Sequence, residues 1–181
     1  YKRQGYAVGN NGAILKTINA GSTWGYLVNG NTGDANLNSV SFTSTDTGYA
    51  VGGNTEQYGS ILKTVNGGTN WYQKKFIPDY KLLSVRFADA NNGIAVGERG
   101  TIIKSHDGGN TWEDLSSGTT ATLNSVCFTV PNTGYIVGSY GTILKTIDKG
   151  NTWVNLISET TQDLKSVYFT DVNIGYIVSD G

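Results

Sequence analysis

Hydrolysis of a glycosidic bond needs two carboxylates facing one another across a cleft. The acidic residues in turn-rich segments are Asp34, Asp79, Glu98, Glu113, Asp114, Glu159 and Asp163, and nothing in their spacing marks a pair. They read as solvated loop residues. Asp46, Asp89 and Asp171 stand in short turns, where local hydrogen bonding explains them. A zinc site or a Ser-His-Asp nucleophile would need partners that the single histidine, His106, does not have. The one cysteine, Cys127, excludes an internal disulfide and, with no basic neighbour to stabilise a thiolate, reads as a buried, inert thiol. No catalytic residue, metal ligand or cofactor is expected. Binding is the better use of the side chains present. Tyr and Arg anchor interfaces through contact area and forked hydrogen bonds, and Arg99, Tyr140, Glu98, Tyr58, Lys75 and Tyr80 are the candidates, with Lys74 and Lys81 beside them.

What positions these residues is a repeat. The four tryptophans, Trp24, Trp71, Trp112 and Trp153, are spaced by 47, 41 and 41 residues. Three signatures keep phase with them. Leu-x-Ser-Val-x-Phe occurs from Leu37, Leu82, Leu123 and Leu164. Gly-Tyr-x-Val-Gly or a variant starts at Gly5, Gly48, Gly93, Gly134 and Gly175, and Ile-Leu-Lys-Thr or a variant starts at Ile14, Ile61, Ile102 and Ile143. We label the corresponding strands A, B and C, and the strand carrying Trp as D. Turns of Gly, Asn, Asp and Thr join them. A period near 41 with four antiparallel strands predicts an all-β fold, a β-propeller built from four-stranded blades.

The phase gives B-C-D in residues 1–24, whole blades in 37–71, 82–112 and 123–153, and A-B in 164–181, seventeen strands in one propeller domain or propeller fragment over 1–181. Four to five blades are present, and membership of a larger propeller is the expectation, because open repeat arrays need neighbours to cover their terminal faces. An incomplete propeller would expose strand edges and invite self-association. Two length changes are informative: four extra residues in the B–C turn around Asn54 to Tyr58, and a Trp24 to Leu37 spacing of 13 where the other units have 11. B–C and D–A connections are expected on one face, A–B and C–D turns on the other, so both changes fall on the face suited to binding loops.

Composition agrees. The 181 residues include 25 Gly, 2 Pro, 4 Trp, 11 Tyr and 5 Phe, and no stretch shows helical periodicity. A formal net charge of −1 and pI near 5.8 offer no basic surface for nucleic acid. No apolar run reaches the roughly 20 residues that span a bilayer, so no direct membrane insertion is expected. The first residue is Tyr1, which leaves open an upstream leader or further domain.

The C–D turns run Thr17, Asn19, Gly21, Trp24; Thr64, Asn66, Gly68, Trp71; Ser105, Asp107, Gly109, Trp112; and Thr146, Asp148, Gly150, Trp153. They resemble the Asp-box, or bacterial neuraminidase repeat. In such a turn Asp or Asn accepts backbone N–H bonds, Gly supplies a positive φ and the indole covers the hairpin. With the A and C signatures, the whole chain resembles the photosystem II stability/assembly factor family. The resemblance implies a seven-bladed propeller, no enzymatic activity, and an extracytoplasmic (secreted, periplasmic or lumenal) setting. It also implies a protein or peptide partner held by an arginine patch. Of Arg3, Arg86 and Arg99, only Arg99 stands in a B–C turn. Sialidases and xyloglucanases carry the same turns, so a glycan-binding or glycosidase propeller is the alternative. A sialidase-like site would need an arginine triad in the face loops, which Arg3 at the terminus and Arg86 in a strand do not supply.

Overall fold

The structure is a computed structural model that describes residues 4–27, 36–54 and 58–180. Arg3, Asp34 and most of the lengthened first D–A connection lie outside the described residues, as do residues 55–57 of the inserted B–C turn. Seventeen strands are described, and no α-helix among the described residues. They form five antiparallel sheets in chain order. The fold is a partial β-propeller.

The chain divides into two compact units, Tyr1–Lys81 and Leu82–Gly181. The first holds β1 (Gly5–Val8), β2 (Ile14–Thr17) and β3 (Gly25–Tyr26), then β4 (Asn36–Phe42), β5 (Gly48–Gly53), β6 (Gly59–Thr64) and β7 (Tyr72–Ile77). The second holds β8 (Leu82–Phe87), β9 (Gly93–Gly97), β10 (Ile102–Ser105) and β11 (Glu113–Leu115). It continues with β12 (Leu123–Val130), β13 (Thr133–Gly138), β14 (Ile143–Thr146) and β15 (Val154–Leu156), then β16 (Leu164–Phe169) and β17 (Gly175–Ser179). One expectation is corrected in all four units: the D strand does not carry Trp but begins immediately after it, so the indole closes the C–D turn.

The motifs have packing reasons. The B strands β5 and β9 are apolar on both faces because both are covered: Tyr49, Ala50, Val51, Ile94, Ala95 and Val96 are all fully buried. The leading glycine of a B strand faces the phenylalanine that ends the A strand of its own sheet. A Cβ on Gly93 would lie 2.4 Å from the Phe87 ring. That ring in turn meets Trp112 edge-on at 5.9 Å, as Phe42 meets Trp71 at 6.0 Å. Within the first unit the Tyr6 ring stacks on Phe42 at 3.7 Å, and within the second Tyr135 stacks on Phe169 at 4.5 Å, each B-strand tyrosine reaching the next sheet's A strand.

Two lysines of the C signature, Lys63 and Lys104, are buried, and Lys16 and Lys145 are half-buried. Lys104 is fully buried, and its Nζ donates to the Lys149 carbonyl in the C–D turn of the following sheet. In the first unit Lys16 Nζ donates likewise to the Gly67 carbonyl at 3.0 Å. Burial pushes the Lys104 ammonium below its usual range, against the pull of Asp148, Glu113 and Asp89. Lys149 completes the joint by pairing with Asp89 at 3.0 Å.

Candidate functional site

The C–D turns share one hydrogen-bond plan. The Thr17, Thr64, Ser105 and Thr146 hydroxyls donate to the Asx side chain two residues on, at 2.7–3.0 Å. Each hydroxyl also accepts from the glycine N–H four residues on, at 2.8–3.0 Å. The Asx oxygen accepts the N–H of Thr23, Asn70, Thr111 or Thr152 at 2.9–3.0 Å. Asp107 is held at about 2, first by the Thr111 N–H and then by the Thr111 and Ser105 hydroxyls. Asp148 is also held at about 2; partial burial opposes this, and the Thr152 N–H and the Thr152 and Thr146 hydroxyls outweigh it. The oxygens of both carboxylates are engaged by donors of their own turn. In three of the four turns the residue after the Asx ties the turn to the A–B turn of its own sheet: Gly67 N–H to Asp46 O, Gly108 N–H to Asn91 O, and Lys149 N–H to Asn132 O.

On the other side of the sheets the B–C turns pack on the D–A loops. In β12–β15, Gly141 N–H donates to Gln162 O at 2.8 Å and Tyr140 N–H to Asp163 Oδ1 at 3.1 Å. Arg99, Tyr140 and Asn11 stand at equivalent B–C positions with φ of 53°, 57° and 55°. The glycine that follows is required by close approach: a Cβ on Gly100 or Gly141 would lie 1.9 Å from the Thr119 or Thr160 carbonyl. The D–A loops repeat too, Ser117 and Ser158 each donating to the carbonyl two residues on at 3.0 Å.

The structure places Arg99 and Tyr140 exposed at turn tips and Glu98 half-buried beside Arg99. Tyr58 closes the inserted turn, its N–H donating to Asn54 Oδ1 at 3.0 Å and its ring 4.8 Å from Phe76. Tyr80 is half-buried in the D–A loop. Lys75 is not in a loop: it pairs with Ile61 inside β7, a D strand that runs on past Trp71. Glu113 and Asp114 likewise belong to β11, paired with Lys104 and Ile103. Glu113 Oε1 lies 2.9 Å from His106 Nε2, which donates to it when that nitrogen carries the proton. Cys127 is half-buried rather than buried. Sequence reasoning missed a recess of about 650 Å³ between the Tyr140 turn and the loop after β15, lined by Tyr140, Leu156, Ile157, Glu159, Thr160 and Gln162 among others. The repeat alignment held its signal, since Ile157 and Glu159 stand where the previous sheet has Ser116 and Gly118. Among the described residues no cluster of His, Cys, Asp and Glu could hold a metal ion.

Repeating four-stranded sheets with a fixed turn plan and varied loops define a β-propeller. The profile of the family described as Photosynthesis system II assembly factor YCF48 matches residues 35–116 and 64–160, together more than two thirds of the chain, and the chain belongs to that family. Solved structures similar to it include YCF48 from Cyanidioschyzon merolae (18% identity, TM-score 0.71, 98% of this chain and 63% of that one). YCF48 bound to D1 peptide is similar at 17% identity and TM-score 0.54, over 99% of this chain and 87% of that one. An ancestral GH74 enzyme is similar at 19% identity and TM-score 0.65, but over 83% of this chain and only 22% of that one. At these identities the likeness is one of fold. No curated protein matches the chain. No helix among the described residues is long and apolar enough to cross a membrane.

Proposed function

We propose that this chain is a non-enzymatic scaffold that holds a protein or peptide partner, in an extracytoplasmic setting, on its B–C turns and D–A loops. One observation carries the reading. Equivalent B–C turns keep the same left-handed backbone while the residue displayed changes from Asn11 to Arg99 to Tyr140, which is how a rigid frame presents varied contacts. Family membership supports it, as does the peptide bound in the similar structure of YCF48. Arg99, Glu98 and Tyr140 are the proposed contacts in the second unit, and Tyr58, Tyr80 and the β7 residue Lys75 those in the first.

A peptide array probed with the native chain and with an Arg99→Ala/Tyr140→Ala variant tests this. Sequences retained by the first and released at least tenfold by the second are expected; equal retention by both overturns the reading. The GH74 likeness favours a second reading, a glycan-active propeller, which turnover of chromogenic glycosides abolished by a Glu159→Gln or Asp163→Asn change would establish. Self-association is a further part of the proposal, since β17 and the residues Tyr168 and Tyr176 are exposed.

A further inference from the structure

The sheets β8–β11 and β12–β15 have the same loop backbone and opposite loop chemistry. Each has a Ser-x-Thr corner after its D strand whose middle residue has a positive φ, 72° at Gly118 and 56° at Glu159. Glycine meets no Cβ penalty there and glutamate does. The third whole blade nevertheless carries Glu159, together with Ile157 for Ser116 and Tyr140 for Arg99. These substitutions meet at the recess, where Tyr140 is 78% exposed and Ile157 93% exposed, with Leu156 between them and Glu159 on the rim. An isoleucine this open is covered by nothing in its own unit.

Among the residues that line the recess, Glu159 alone is charged. Asp163 takes the Tyr140 N–H and Lys165 Nζ at 3.3 Å, and Asp180 takes the same ammonium at 2.8 Å. Asp163 and Asp180 therefore share one cation, and Glu159 is left with none. Glu159 makes no hydrogen bond or ion pair among the described residues. An apolar floor beside an unneutralised carboxylate complements an apolar side chain next to a cation. We infer that the recess takes a peptide segment in which an aliphatic or aromatic residue is followed by Lys or Arg, the apolar side chain covering Ile157 and Tyr140 and the cation pairing with Glu159. This rests on the reading of the loop face as a peptide-binding surface and gives its third whole blade a specificity opposite to that of Arg99.

Fluorescence anisotropy of the whole chain with labelled nonapeptides of Gly-Ser background and a central Leu-Arg, Leu-Glu or Ser-Arg pair decides it. The Leu-Arg peptide should bind most tightly. Glu159→Gln should weaken it by about fivefold and remove most of its salt dependence, Ile157→Ser by about tenfold. Glu159→Lys should turn the preference toward Leu-Glu. Glu159→Gly, which restores the residue of the preceding blade and relieves the backbone, should lose binding as Glu159→Gln does while raising thermal stability, separating binding from folding. Leu-Arg and Leu-Glu binding alike, with Glu159→Lys changing neither, overturns this inference and leaves the loop-face reading standing if Arg99→Ala still releases array peptides. Binding of no peptide but of oligosaccharides, lost in Tyr140→Ala, overturns both.

Discussion

At the scale of single residues, the C–D turns are the places where one atom answers for several. Asp107 Oδ1 accepts from the N–H groups of Asn110 and Thr111 and from the Ser105 hydroxyl. Asp107→Ala would leave those donors to water or to nothing, and a loss of about 1–3 kcal/mol is expected by urea unfolding. The same bonds favour the ionised carboxyl, so its pKa falls from 3.8 unfolded to about 2 folded. A group lowered in this way stabilises the fold fully above its unfolded value, and that contribution disappears as pH drops from about 4 to about 2. Carboxyl carbon NMR titration checks it, and an Asp107 midpoint near 3.8 would refute the turn geometry. Lys104→Ala removes the donor to a carbonyl in the neighbouring sheet's turn; a loss of about 1–3 kcal/mol is expected, with Lys104→Arg failing to restore it because a planar guanidinium is bulkier than the fully buried ammonium it replaces.

Elements in this chain are joined by repeated pairs. The B-strand glycine exists because the A-strand phenylalanine fills its Cβ position, and B-strand tyrosines pair across the ladder with C-strand lysines: Tyr6 with Lys16, Tyr49 with Lys63, Tyr135 with Lys145. The three ammonium groups lie 5.3–5.8 Å from those ring centroids. Gly93→Ala should therefore cost about 1–3 kcal/mol through overpacking, and Phe87→Leu in the same chain should recover part of it. A double-mutant cycle by chemical denaturation measures the coupling; strict additivity would show that the Phe87 ring is not what the glycine makes room for.

For the molecule as a whole, the sheets first and last in the chain are the exposed ones. Trp24 is 46% exposed where Trp71 is 2%, because β1–β3 has no A-strand phenylalanine among the described residues to meet its indole. All of β17 is exposed, including Tyr176 and Val178. Open edges and apolar faces of this size favour pairing between chains. The 181-residue polypeptide should sediment as dimers or larger species at tens of micromolar, and Tyr176→Lys with Val178→Lys should return it to monomers. A monomer at every concentration would refute the prediction.

What the sequence determined by itself was everything carried by short-range order. Four in-phase tryptophans and three strand signatures led to seventeen strands, because a turn whose hydroxyl and Asx bond backbone groups within four residues needs no distant partner to form. The same local logic gave the B–C and C–D turns their residues. The extent of the D strands was not legible: whether Lys75, Glu113 and Asp114 join a ladder depends on the C strand opposite. Nor was the burial of Lys104, since Ile-Leu-Lys-Thr reads as a strand with a solvated lysine until the next sheet's turn is laid over it. The recess beside Tyr140 belongs to the same class, for Ile157 and Glu159 become neighbours of Tyr140 only when the loop after β15 packs against the B–C turn. Tertiary structure decided these points because each depends on which surface covers a side chain, and in a stacked repeat that surface is supplied by residues tens of positions away.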